Sequence, residues 1–153
     1  MSIFSFFKKK DFFSQEENEK IIEAIRNAEK CTSGEIRIFV ERHCRFIDPL
    51  DRAMEIFSEL KMENTKDRNA VILYVAVKDR QLAIYADKGI HERMGTSFWE
   101  EEVNKMLLQF DKHNYTNGIV QCINDIGKAL DNNFPYNKQE DKNELPDEII
   151  FGR

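Results

Sequence analysis

The chain has 153 residues, enough for one domain and too few for two. Apolar residues make up 41% and charged residues 33%, with 12 phenylalanines, which excludes disorder over the whole length. Lys and Arg number 23 against 28 Asp and Glu, and the resulting formal charge of −5 argues against non-specific nucleic-acid binding.

The sequence opens MSIFSFFKKKDFF, with three lysines after a short apolar stretch, the reverse of a signal peptide. Residues 1–13 read as an N-terminal arm. Its Phe4, Phe6, Phe7, Phe12 and Phe13 either dock on the domain or give peripheral membrane contact around Lys8 to Lys10. Ser14-Gln15-Glu16-Glu17 is a capping box, and Ile21, Ile22, Ile25 and Ala28 follow at helical spacing. Gly34 suits a left-handed helix cap. Ile36, Ile38 and Val40 then alternate with Arg37, Phe39 and Glu41 as in a strand. Asp48-Pro49 opens a second helix, whose core stripe reads as Leu50, Met54, Phe57 and Leu60.

Asn69 to Val77 is almost wholly apolar, as in a strand covered on both faces. Lys78-Asp79-Arg80 turns the chain into a hairpin arm, where Leu82, Ile84 and Ala86 alternate with Ala83 and Tyr85. Ser97-Phe98-Trp99-Glu100 reads as a second capping box, heading a helix with Trp99, Val103, Met106, Leu107 and Phe110 on its stripe. Glu100, Glu101 and Glu102 read as first-turn acid that complements the helix dipole. A last helix carries Ile119, Ile123, Ile126 and Leu130 on one face. The domain is expected over 14–135, with a polar C-terminal tail over 136–153. The order α-β-α-β-β-α-α predicts an α/β fold, a three-layer α/β/α sandwich around a small mixed sheet.

Parallel first and second strands start at one edge of the sheet, and the hairpin brings the end of the third there. Glu35, Asp67, Asn69 and Asp87 are thus expected together. Crowded hard-oxygen groups call for a cation, Ca²⁺ or Mg²⁺ by ligand type. No phosphate loop, dinucleotide fingerprint, metalloprotease motif or nucleophile elbow occurs, and no catalytic residue can be named. No stretch nears the roughly 20 apolar residues that cross a bilayer. Cys31, Cys44 and Cys122 are odd in number and far apart, which fits a reduced, cytoplasmic monomer.

Ser33-Gly34-Glu35-Ile36-Arg37, Asp67-Arg68-Asn69-Ala70 with the apolar run after it, and Asp87-Lys88-Gly89-Ile90-His91-Glu92 resemble the TPM domain family. So do Phe98-Trp99, Tyr115-Thr116-Asn117-Gly118-Ile119 and Asn143-Glu144-Leu145-Pro146-Asp147-Glu148. The likeness is to a short bacterial branch with neither signal peptide nor membrane anchor, although Ala70 stands where the family usually has glycine. It implies the same sandwich and a Ca²⁺ or other divalent ion held by acidic loop residues at one end of the sheet. It also implies a role in interaction or regulation with a protein partner not named by the sequence. The alternative is a metal-dependent acid phosphatase, a phosphomonoesterase in which Arg68 and Lys88 would bind the phosphate.

Overall fold

The structure, a computed structural model, describes residues 13–136 and 149–152. Phe4, Phe6, Phe7, Phe12 and the three arm lysines lie outside the described residues, as does 137–148 of the tail. Five helices and four strands are described: α1 Gln15–Glu29, β1 Glu35–Glu41, α2 Pro49–Glu59, β2 Ala70–Ala76, β3 Gln81–Ala86, α3 Lys88–Met94, α4 Thr96–Asp111, α5 Tyr115–Asn133 and β4 Ile149–Phe151. The seven expected elements occur in the expected order. The short α3 and the strand β4 are additions to it. No described helix is long and apolar enough to cross a membrane.

The sheet order is β3-β2-β1-β4, with β1 parallel to β2 and to β4, and β3 antiparallel to β2. All seven residues of β2 are buried, because helices cover both of its faces. One face presents Ile36, Ile38, Val40, Val71, Leu73, Val75, Leu82 and Ile84 to a core shared with α1, α4 and α5. Phe13 belongs to that core at 5% exposure, so the arm's last residue is part of the domain. Ile149 and Phe151 join the same core from β4, beyond the expected domain end at 135. The other face sets Ala70, Ile72, Tyr74, Ala76 and Ala83 against Ala53, Ile56 and Phe57 of α2.

Helix ends follow the local chemistry in two of three cases. Ser14 Oγ accepts from Glu17 N–H at 3.1 Å while Glu17 Oε1 accepts from Ser14 N–H at 2.9 Å, completing the capping box. Asp48 Oδ1 accepts from Leu50 N–H at 2.9 Å, with Pro49 in the first turn. The second expected capping box does not form. α4 begins at Thr96 behind Gly95, whose φ of 80° ends α3 and starts α4 without a side-chain cap. Glu100 to Glu102 therefore lie beyond the first turn. Gly34 is not in the left-handed region. A Cβ there would fall 2.6 Å from Leu130 Cδ2, so glycine serves close packing against α5.

The α2 stripe also differs. Leu50 and Met54 are 38% and 44% exposed; Phe57 is buried and Leu60 partly buried as expected, and Ala53 and Ile56 take the remaining core places. Arg52 explains the rotation. Its Nε and Nη2 donate to buried Glu41 of β1 at 2.9 and 3.1 Å, which turns the 53-56-57 face onto the sheet. Glu41 also accepts from Tyr74 Oη at 2.5 Å.

Candidate metal site at the entry edge of the sheet

Three segments meet where β1 and β2 begin and β3 ends. The register pairs Glu35 with Ala70, and Glu35 N–H donates to Asn69 O at 3.4 Å. Asp87 N–H donates to Ala70 O at 2.9 Å. Backbone bonding thus joins the Glu35, Asn69 and Asp87 positions edge to edge, as the parallel-then-hairpin topology requires. Gly89 closes the arrangement. Its N–H donates to Arg68 O at 2.8 Å, and a Cβ there would sit 2.1 Å from Asp67 O and 2.6 Å from Arg68 O. Only a residue without a side chain lets α3 come so near the Asp67-Arg68 loop.

The four acidic and amide residues differ in setting. Glu35, Asn69 and Asp87 are 2%, 0% and 1% exposed, whereas Asp67 is exposed on the loop rim. Asn69 Nδ2 donates to Ser33 Oγ at 3.1 Å, and Asn69 Oδ1 is buried with no hydrogen-bond partner. An amide oxygen held this way is a hard donor lacking its expected partner. Asp87 Oδ1 accepts from Lys88 N–H at 2.8 Å at the start of α3. Its two oxygens also take a bidentate pair from Arg68, Nε to Oδ2 at 2.6 Å and Nη2 to Oδ1 at 2.9 Å. That bonding pushes the Arg68 pKa up. Arg68 holds φ at 51°, a left-handed conformation for a residue with a side chain, within the loop that Gly89 fastens.

Of the two residues expected for a phosphate, Arg68 is bound to Asp87 and Lys88 is exposed at the start of α3. Among the described residues, no three His, Cys, Asp or Glu side chains are grouped to hold a metal ion. The donor set at the edge is instead carboxylate, amide and nearby backbone carbonyl, the mixture that Ca²⁺ accepts. Sequence reasoning missed Ser33 as the support of Asn69, Gly89 as the contact glycine and Arg68 as the counter-ion of Asp87. The Asp-Lys-Gly run hints at the second. Nothing local signals the other two.

A family model described as the TPM domain matches residues 7–129. The NMR structure of BA42 protein from the psychrophilic bacterium Bizionia argentinensis is 46% identical. The match covers 92% of this chain and 96% of that one, with a TM-score of 0.84. The N-terminal domain of cg2496 protein from Corynebacterium glutamicum shares the fold at 12% identity, covering 78% of this chain and 75% of that one, TM-score 0.58. No curated protein matches the chain.

Proposed function

Taking as premise that this chain belongs to the TPM domain family, we propose that it is a divalent-cation-binding module, with Ca²⁺ the preferred ion, that acts by interaction or regulation. Glu35, Asp67, Asn69 and Asp87 would supply the ligand-bearing edge. The observation that carries the reading is Asn69 Oδ1, buried and without a hydrogen-bond partner at the sheet edge where Glu35 and Asp87 are also buried. A bound cation would supply charge to satisfy this oxygen. The chain's own part is to hold Asn69 through Ser33 and the Asp67-Arg68 loop through Gly89.

Arg68 competes for the same place. Its guanidinium neutralises Asp87, so an ion reaching Asp87 has to displace it. Three features support the exchange: the partly exposed Arg68 side chain at 38%, its strained φ and its position on a surface loop. Millimolar Ca²⁺ should therefore raise the melting temperature, since a ligand for the native state adds RT ln(1 + [L]/Kd). The rise should vanish in Asp67→Ala/Asp87→Ala and grow at lower Ca²⁺ in Arg68→Ala. A double variant whose melting temperature rises with Ca²⁺ as the parent's does would move the site elsewhere.

The phosphomonoesterase reading has less behind it. It needs a free cationic clamp and a placed nucleophile or activated water. Arg68 is committed to Asp87.

A further inference from the structure

β3 forms one edge of the sheet. The register says which of its backbone groups face outward. Asp87 N–H bonds to Ala70 O, so Tyr85 and Ala83, two and four residues back, also bond inward to β2. Leu82, Ile84 and Ala86 therefore turn their N–H and C=O away from β2, to a side where no strand pairs with them among the described residues. Sheet edges are usually blunted by lysine, proline or a covering segment. The strand sequence QLAIYA contains neither residue. A groove of about 550 Å³ runs along it instead, with Leu50 of α2 on one wall and Trp99 and Val103 of α4 on the other.

The groove has charged residues along its length. Lys88 and His91 line it beyond Ala86, Glu100 lines it from the first part of α4, and Asp48, at the head of α2, lies by chain topology toward the Gln81 end. Trp99 is 5% exposed, and its indole N–H is buried with no hydrogen-bond partner. Leu50 remains 38% exposed at the rim. The edge is recessed: Leu82, Ile84 and Ala86 are only 5%, 5% and 6% exposed. A single extended chain can enter between the flanking helices. The edge of a second folded copy, carrying its own helices, cannot approach as closely.

We propose that this groove binds an extended apolar peptide, which adds to β3 as a parallel fifth strand and sets its C-terminal carboxylate at Lys88. Main-chain bonds to Leu82, Ile84 and Ala86 give the affinity, and the charge at the two ends gives the direction. The site is separate from the cation edge in its ligand and its readout.

The test uses a hexapeptide of alternating valine and threonine with a free C-terminal carboxylate, titrated to millimolar concentration into ¹⁵N-labelled protein. The Leu82, Ile84 and Ala86 amides should shift and exchange more slowly, and the Trp99 indole resonance should move. The C-terminally amidated peptide should bind about two- to fivefold more weakly, and Lys88→Gln should erase that difference. Leu50→Glu, at an exposed position, and Val103→Glu should each block binding in a folded protein. A peptide with proline at alternate positions should not bind. Equal binding of the proline peptide, or shifts that spare the β3 amides, would overturn strand addition. Protection of those amides without peptide, with a concentration-dependent dimer in sedimentation, would give the edge to a second copy and overturn the proposal too.

Discussion

Glu102 shows how one side chain couples to pH. It is 3% exposed on α4, with Oε2 3.2 Å from Lys105 Nζ and Oε1 buried without a partner. Burial pushes its carboxyl up to about 7, Asp125 adds to the rise and Lys105 opposes it. Cys122 is packed beside them, its thiol pushed well up by burial. The folded state holds the Glu102 proton more tightly than the unfolded chain, whose value is near 4.5. This group's contribution is therefore full below about 4.5 and lost as pH rises through about 7. Glu102→Gln should flatten the stability profile over that window and stabilise the protein at pH 8, by at most about 3 kcal/mol. Thermal melts from pH 4.5 to 8 check this, and parallel profiles for parent and variant would contradict it. Gly89 gives the second prediction at this scale. Gly89→Ala forces a methyl into the Asp67 and Arg68 carbonyls, which are backbone and have little room to yield. A loss of about 2–4 kcal/mol is expected. Chemical denaturation would measure it, and amide shifts at 67–69 should accompany it.

At the scale of elements, β4 is the addition with most consequence. It has three residues, yet pairs with β1 through Ile38, Phe39 and Val40 and places Phe151 at 2% exposure in the main core. Phe151→Ala should cost about 3–5 kcal/mol, as for other buried aromatics. Urea unfolding of the full chain tests it. A loss below about 1 kcal/mol would mean that β4 is not part of the cooperative unit. No alternation marks a strand this short, and Ile149-Ile150-Phe151 follows a polar stretch. Its pairing depends on an open edge of β1 more than a hundred residues earlier in the chain. The α2 rotation has a comparable cause, because the Arg52–Glu41 contact spans two elements.

For the whole molecule, the question is whether the entry edge turns anything over. Phosphomonoester hydrolysis is so slow uncatalysed that an enzyme needs charge clamps and a positioned nucleophile together. Of the two cationic residues expected there, Arg68 either holds Asp87 or is displaced from it by an ion, and Lys88 is exposed, so neither is a fixed clamp. Protein saturated with Ca²⁺ or Mg²⁺ should therefore hydrolyse an aryl phosphate barely above background between mildly acidic and mildly basic pH. A kcat/KM above roughly 10⁴ M⁻¹s⁻¹ that collapses in Asp67→Asn would instead establish the phosphatase reading.

The sequence by itself determined the α/β class, the order of the seven main elements, two helix starts and the shared sheet edge of the Glu35, Asn69 and Asp87 backbone positions. These follow from periodicity, from Ser14 and Asp48 capping their own helices, and from connection rules that act along the chain. Only the tertiary structure decided which stripe of α2 is buried, where α4 begins, that β4 completes the sheet and that β3 leaves a lined groove at its edge. It alone also placed Arg68 against Asp87. Side-chain patterns report how one element meets solvent, whereas these features depend on which distant residue lies opposite. A guanidinium 19 positions from its carboxylate, or a glycine that yields to a leucine 96 residues away, leaves no local mark.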